Sequence, residues 1–237
     1  MRYNRITQLM LAIITIIVYS FIVSTILVGR GGDFEYHIYW AQQAFENNGS
    51  LPPNPLYPIL VIIISRLFPT SDAFIRAGYV VAVAFHLITS LALYRLYIRP
   101  VLGNLKNYKQ VFVAILLVMS LLLSSAITLF TLPAQNLFWG YNVPIVYHNS
   151  NIILLRAFGL ILFFRILMCW DDKGEGEASI SVITITALIT ILSGLSRPHH
   201  LIILLPAIGL IILWKYWQKS YQDLKHLLLG IIFMNII

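Results

Sequence analysis

The chain has few charged residues and a single cysteine. Asp, Glu, Lys and Arg together make up 11% of its 237 residues, whereas about 25% is usual in a soluble domain. This deficit excludes a water-soluble globular protein, and the long apolar runs exclude a disordered segment. Cys169 has no partner for an internal disulfide, so a disulfide scaffold is excluded as well. Together with a mean hydropathy of +0.83, these exclusions leave a polytopic membrane protein as the predicted class.

Acidic residues are scarcer than basic ones, 9 against 16, which gives a net charge of +7. In a soluble chain this excess would suggest a nucleic-acid partner. In a membrane protein the basic excess first indicates how the chain is oriented in the membrane, because cytoplasmic loops are enriched in Lys and Arg. We therefore expect membrane lipids, and no nucleic acid, among the partners.

Apolar runs predict an all-α fold, a transmembrane helical bundle with about seven spans, since roughly 20 apolar residues cross a bilayer as a helix. The first run is too long for a signal peptide and lacks a cleavage site. The last run ends without a polar flank, so we expect a truncated chain whose C-terminal part is missing. The runs cover residues 6–28, 73–94, 111–132, 152–170, 180–195, 201–214 and 227–237.

The run at 56–68 is apolar but short, about 20 Å as a helix against a hydrocarbon core of about 30 Å. If it crossed, the basic segment 95–109 would face the side opposite Arg2 and Arg5, against the positive-inside rule. We therefore expect it to be half embedded on the outer side. The result is a single transmembrane domain over 1–237, with its N-terminus inside and outer loops at 29–72 and 133–151. The outer side then keeps Arg30, Arg66, Arg76, Arg156 and Arg197.

The first outer loop predicts an amphipathic helix that Asp33 opens and Gly49 closes. One apolar stripe runs along it, as expected of a helix in the interface plane. Its other aromatic residues suit the headgroup level of a membrane. The stripe consists of Phe34, Ile38, Ala41 and Phe45, and the other aromatic residues are Tyr36, Tyr39 and Trp40. A proline-rich stretch at 51–58 then leads into the short apolar run.

Asp33 has two interpretations. As a helix N-cap its carboxylate would accept backbone N–H bonds, worth about 1 kcal/mol. As a general base just outside the first span it would take a proton from an acceptor hydroxyl. Glu35 and His37 share the first turn with it. His37 lies one turn from Asp33 and would orient it, although a merely solvated histidine fits the sequence too.

These features together resemble the GT-C fold of membrane glycosyltransferases that use polyprenyl-phosphate sugars, closest to bacterial mannosyltransferase-like members. The resemblance covers residues 31–68. It implies a catalytic acidic residue at Asp33, with Glu35 as the other candidate, and two juxtamembrane helices at 34–48 and 57–68. It also implies a multi-pass protein of the bacterial inner membrane. Family members have more spans and often a further C-terminal region.

The second outer loop has no Lys or Arg and is dense in amides and aromatic residues. This composition suits a surface that holds a sugar, and it equally fits an aromatic belt with Asn caps. Tyr36 and Trp40 of the first loop, and Tyr147, His148 and Asn149 of the second, are candidate substrate-binding residues.

Arginines on the outer side are candidate ligands for a lipid phosphate, because a guanidinium binds phosphate through parallel N–H bonds. Arg197, followed by His199 and His200, is the leading candidate, and a plain helix-ending turn is the other interpretation. Arg30 and Arg156 are further candidates, the latter because a charge at membrane depth is costly. Adjacent histidines without a third ligand do not favour zinc. We expect no cofactor, and two carboxylates leave a divalent metal open.

The leading functional prediction is transfer of a sugar from a polyprenyl-phosphate donor to a hydroxyl of a glycan, lipid or protein acceptor, with Asp33 as general base. A transporter or flippase of a lipid-linked glycan is the alternative from another class, and it requires interrupted helices near the bilayer midplane. A polysaccharide polymerase or ligase shares the donor. We expect His86, inside a span, to hydrogen-bond a neighbouring helix.

Overall fold

In the computed structural model of the chain, the described residues are 2–29, 33–47, 49–123, 150–171, 180–198, 201–202, 205–206, 209–210 and 213. All regular secondary structure in them is helical, which confirms the all-α prediction. A π-helical stretch, Leu93–Ile98, joins α4 to α5. The helices are α1 (Arg2–Gly29), α2 (Asp33–Glu46), α3 (Leu56–Ser65), α4 (Ala73–Ala92), α5 (Arg99–Leu102), α6 (Tyr108–Leu123), α7 (Ser150–Asp171) and α8 (Ile180–Ser196).

The chain divides into two compact units, Met1–Ala157 and Phe158–Ile237. The first unit contains α1 to α6 and the first turns of α7. The second contains the rest of α7 and α8.

The polar side of helix α1 is buried, and its apolar side is exposed. Residues that recur every three or four positions are buried, and several of them are polar, whereas the large apolar side chains of the other side are exposed. A soluble helix has the opposite arrangement, because burial of apolar surface drives its packing. The buried side consists of Asn4, Thr7, Leu11, Thr15, Tyr19 and Val23, and the exposed side includes Leu9, Ile13, Ile17 and Phe21.

Helices α1 and α4 run antiparallel along their lengths. Near the start of α1, Tyr94 donates a hydrogen bond from its hydroxyl to Asn4 Oδ1 at 3.1 Å. Further along, the rings of Tyr19 and His86 stack with centroids 3.7 Å apart. Helix α6 runs parallel to α1, since Tyr3 meets the ring of Tyr108 at 5.2 Å and Tyr19 reaches the region of Leu122. The start of α1, the end of α5 and the start of α6 therefore share one end of this unit.

Helices α2 and α3 lie at the other end, where α1 finishes and α4 begins. The helix predicted at 33–49 is confirmed as α2, although it ends three residues earlier, at Glu46. Three residues of its predicted apolar stripe are buried: Phe34, Ile38 and Ala41. The fourth, Phe45, stays 47% exposed.

Gly78 lets α4 approach α2 and α3 closely. A Cβ atom at this position would lie 2.6 Å from Ile38 Cδ1 and 2.9 Å from the Tyr57 hydroxyl. Tyr57 is fully buried and donates that hydroxyl to the Gly78 carbonyl at 3.2 Å. Burial raises the pKa of Tyr57 well above its ordinary value of 10.0. The hydroxyl therefore remains a donor at physiological pH.

Two helical stretches among the described residues are long and apolar enough to cross a membrane, Tyr3–Ser24 and Ala73–Leu102. At 1.5 Å per residue the first extends for about 33 Å, which matches a hydrocarbon core of about 30 Å. Three shorter apolar stretches accompany them: Leu56–Ser65, Tyr108–Leu123 and Thr184–Ser196.

In the second unit, helix α8 ends at Ser196, whose hydroxyl donates to the Leu192 carbonyl at 2.8 Å. The backbone N–H of Arg197 donates to the Ser193 carbonyl at 3.0 Å and so completes the last turn. The Leu201 side chain lies over Gly194, where a Cβ atom would be 2.7 Å from Leu201 Cδ1. The Leu201 side chain therefore packs against the last turn of α8.

Candidate functional site

Helix α2 divides the candidate residues of the first loop between two sides. Asp33 is its first residue, and the Asp33 side chain lies outside the described part of the chain. Glu35 and Tyr36 are exposed, whereas His37 is only 6% exposed. The structure therefore does not bring Glu35 and His37 together, and the solvated interpretation of His37 is wrong.

His37 connects α2 to α7. The side-chain amide nitrogen of Asn151 lies 3.2 Å from His37 Nε2. The two side chains are therefore within hydrogen-bonding distance of each other. The ring also meets Trp40 edge-on at 5.2 Å and Tyr57 at 6.1 Å. These four residues, Asn151, His37, Trp40 and Tyr57, are called the His37 cluster below.

Trp40 and Tyr36 extend the His37 cluster toward the exposed side of α2. Their rings lie 6.4 Å apart, and the residues are 42% and 62% exposed. Two accessible aromatic rings next to a buried histidine form a surface on which a sugar ring can stack. The predicted pair Tyr36 and Trp40 is thus brought together.

A second polar group lies between α1, α4, α6 and α7. Tyr19 donates its hydroxyl to the Leu122 carbonyl at 3.3 Å, and its ring stacks on His86. His86 Nδ1 lies 2.8 Å from the carbonyl oxygen of Ala82, on its own helix. The prediction that His86 hydrogen-bonds a neighbouring helix is therefore wrong in its detail. The N–H of the His86 ring bonds to the Ala82 carbonyl, one turn earlier in α4. The ring therefore contacts the neighbouring helix α1 by stacking on Tyr19.

Arg156 completes this group. Its Nη1 donates to the same Leu122 carbonyl at 3.4 Å, a long hydrogen bond compared with the usual 2.9–3.0 Å. No described acidic side chain forms an ion pair with it. Tyr19, His86, Leu122 and Arg156 are called the Arg156 cluster below. The cluster presents a partly buried cation whose described partner is a neutral carbonyl, which is a suitable environment for an anionic ligand.

Helix α7 carries a member of both clusters. Asn151 and Arg156 are five residues apart, which corresponds to about 7.5 Å along the helix axis. On α2, Asp33 and His37 are one turn apart, or about 6 Å. The contact between His37 and Asn151 therefore joins the first turns of α2 to the first turn of α7, and Arg156 follows about one and a half turns later on α7.

Several predicted residues fall elsewhere. Arg197 belongs to the second unit, just after α8. The remaining candidates lie outside the described residues: Arg30, Tyr147, His148, Asn149, His199 and His200. Among the residues that are described, no group of three or more His, Cys, Asp or Glu side chains could hold a metal ion.

Sequence reasoning missed Tyr19 and Asn151 and gave His86 only a structural role. A signal for Tyr19 was present, since Asn4, Thr7, Thr15 and Tyr19 share one face of α1 at helical spacing, with Leu11 between them. Asn151 had no such signal. Its partner His37 is 114 residues away in the sequence.

The chain matches no protein-family model, and neither a curated protein nor a solved structure is found to be similar to it.

Proposed function

We propose that the protein is a multi-pass membrane glycosyltransferase of the GT-C type. It transfers a sugar from a polyprenyl-phosphate donor to a hydroxyl of a glycan, lipid or protein acceptor at the outer face of a bacterial inner membrane. In this proposal α2 and α3 are the two juxtamembrane helices, and the helices that cross the bilayer form a bundle of about seven spans.

The observation that carries the proposal is the contact between His37 and Asn151. It associates the helix that Asp33 opens with the helix that contains Arg156. A glycosyl transfer needs both groups close together, because a base must deprotonate the acceptor while a cation holds the phosphate of the donor. The inverted polarity of α1 supports placement in lipid, where polar groups pack inward and apolar ones face outward.

The proposed mechanism assigns one role to each group. Arg156 holds the donor phosphate. The rings of Tyr36 and Trp40 stack on sugar. Asp33, oriented by His37, takes the proton of the acceptor hydroxyl as its oxygen attacks the anomeric carbon. The bond from that carbon to the phosphate oxygen breaks, the phosphate leaves with the electron pair, and the anomeric centre is inverted.

The test is a transfer assay on the full chain in proteoliposomes that contain radiolabelled polyprenyl-phosphate mannose and a panel of sugar acceptors. Asp33→Asn should abolish transfer. Glu46→Gln is the matched control, because it removes a carboxylate from the exposed far end of the same helix and should leave the rate unchanged. Normal transfer by Asp33→Asn would exclude Asp33 as the base.

A flippase of a lipid-linked glycan is the second candidate function, and the Arg156 cluster and the π-helical stretch favour it. Transporters use polar groups and interrupted helices within the membrane to pass a substrate. The same proteoliposomes distinguish the two functions. A flippase would move the labelled donor to the opposite leaflet without an acceptor, whereas a transferase would leave it in place until an acceptor is added.

A further inference from the structure

A cleft at the opposite end of the first unit contains two arginines. Its volume is about 320 Å³, and it is lined by Arg95, Arg99, Pro100, Gly103 and Asn104. These residues come from the π-helical stretch, helix α5 and the turn after it. The cleft is remote in the fold from the His37 cluster, because α4 runs from one end of the unit to the other.

Arg95 is held in place by α1. Its Nε and Nη2 atoms both donate to Gln8 Oε1, at 3.2 and 2.6 Å. Two bonds to one acceptor orient the guanidinium plane and leave Nη1 as a further donor. The neighbouring Arg99 forms no ion pair with a described residue. The cleft therefore offers one oriented and one uncompensated guanidinium.

The turn after α5 has a backbone conformation that favours glycine. Gly103 has φ +68° and ψ −151°, and its N–H donates to the Arg99 carbonyl at 2.9 Å. This region of the backbone map is essentially limited to glycine. The turn stops α5 and brings Asn104, with an amide donor, to the cleft beside the two arginines. The wall of the cleft thus contains two guanidinium groups and one side-chain amide, and it has a net positive charge.

The surrounding charge has one sign. Three other exposed cations belong to the same end of the unit: Arg5, Lys106 and Lys109. The acidic residues of the described part of this unit, at positions 33, 35, 46 and 72, all belong to the segment around α2 and α3 at the other end. Within the described part of this unit, no acidic side chain therefore opposes an anion at the end that holds the cleft.

We propose that this cleft binds a phosphate group, carried either by an anionic phospholipid headgroup or by a small soluble phosphate. Two planar guanidinium groups suit the tetrahedral oxygens of a phosphate, which accept parallel N–H bonds. In the orientation expected from the sequence this end faces the cytoplasm, where anionic lipids attract basic segments. The site is independent of the proposed transferase.

The experiment measures binding to the full chain in phosphatidylcholine nanodiscs. One arm titrates inorganic phosphate by calorimetry. The other counts the phosphatidylglycerol molecules that the purified chain retains, by native mass spectrometry. The test variant is Arg95→Gln with Arg99→Gln. The matched control is Lys106→Gln with Lys109→Gln, which removes two charges from the same end but outside the cleft.

Whichever probe the wild type binds, we expect the test variant to bind it at least about tenfold more weakly, because the variant loses two charge-assisted contacts. The control should bind close to wild type. Retention of phosphatidylglycerol alone identifies a lipid site, and binding of inorganic phosphate shows that the phosphate group suffices.

Equal weakening by both variants would overturn the proposal, since it would show nonspecific attraction to a basic surface. Saturable binding of neither probe by wild type would overturn it as well. The single variant Arg99→Gln is a second test in case the double variant misfolds, because the Arg99 side chain makes no ion pair with a described residue. It too should weaken binding while the unfolding temperature stays at the wild-type value.

Discussion

Arg156 is costly where it lies, since its guanidinium has one long hydrogen bond to a carbonyl and no described anionic partner. Such a group persists in a protein when it serves a ligand, because replacement of buried charge by apolar side chains is often neutral or stabilising. Tyr19 also donates to the Leu122 carbonyl. That carbonyl therefore keeps a partner when the arginine is removed.

We predict that Arg156→Met leaves the free energy of unfolding unchanged to within about 1 kcal/mol, or raises it, while binding of a polyprenyl-phosphate donor is lost. Thermal unfolding in detergent and donor binding in nanodiscs measure the two effects. Arg165→Met, on the same helix, is the control and should retain donor binding. A loss of stability of several kcal/mol with donor binding intact would show that Arg156 is structural.

Gly78 gives a second prediction at this scale. Alanine gains about 1 kcal/mol over glycine from helix propensity, but its Cβ would lie within 3 Å of Ile38 and Tyr57, which are both buried. Overpacking of this kind costs about 1–3 kcal/mol. We therefore expect Gly78→Ala to be destabilising on balance, by up to about 2 kcal/mol in thermal unfolding.

The Ile38→Ala background provides the control for this clash. With the Ile38 side chain shortened, Gly78→Ala should cost less than it does in the wild type, so that the two changes are not additive. Equal costs in both backgrounds would mean that Ile38 is not the obstacle.

At the scale of elements, local sequence patterns predicted local features: the position of a helix and which of its side chains are buried. Asp33 and the apolar stripe predicted α2, and Phe34, Ile38 and Ala41 are buried as their spacing requires. Phe45 departs from the pattern, because α2 ends one residue later. Its ring instead meets Phe74 at 5.8 Å and the Arg66 guanidinium at 5.7 Å, on the exposed surface.

Contacts between distant elements could not be predicted in this way. The π-helical stretch contains no proline or glycine to mark it. Within it Tyr94 is fully buried and bonded to Asn4, a contact made 90 residues away in the sequence. The pairing of His37 with Asn151 is of the same kind. Candidate residues were thus readable from sequence, but their grouping was not.

The start of α4 has a pH-sensitive ion pair. Asp72 Oδ2 lies 2.7 Å from Arg76 Nε, and hydrogen bonds from Thr70 and then Arg76 hold the pKa of this carboxyl below its ordinary value of 3.8. A depressed folded-state pKa stabilises the fold above the unfolded-state pKa. That contribution is lost as the pH falls from about 3.8 through the folded-state value.

We predict that Asp72→Asn removes this part of the acid dependence. Its unfolding temperature should lie slightly below wild type at neutral pH, and the two should converge below pH 3.8. The effect is small, because exposed pairs contribute little. Glu46→Gln is the control and should leave the difference between neutral and acid pH at the wild-type value. Parallel curves for wild type and Asp72→Asn would contradict the assignment.

For the whole molecule, the decisive property is the separation of charge between the two ends of the first unit. Five exposed cations, Arg5, Arg95, Arg99, Lys106 and Lys109, share one end, where the described part of this unit has no acidic residue. The end with α2 and α3 carries both signs, since Arg66 and Arg76 are exposed there with the acidic residues. In a membrane this asymmetry orients the chain, because basic segments remain in the cytoplasm.

Single cysteines test this orientation in a Cys169→Ser background. We predict that a membrane-impermeant maleimide labels Ser50→Cys in intact cells, and labels Lys106→Cys only after the membrane is opened. Both positions are exposed. Labelling of both from outside would show that the two ends do not lie on opposite sides, and the reverse pattern would invert the proposed topology.

The polar side of α1 has a consequence for biosynthesis. Its buried residue Tyr19 meets His86 of α4, which ends at Ala92, and its buried residue Asn4 meets Tyr94 of the π-helical stretch that follows. At roughly 5–20 residues per second, a ribosome needs about 3–13 s to make the chain from the end of α1 to the end of α4. During that interval the polar stripe of α1 has no partner from α4. A chaperone or insertase that shields polar helix surfaces would therefore act on this chain after the first helix and before the fourth.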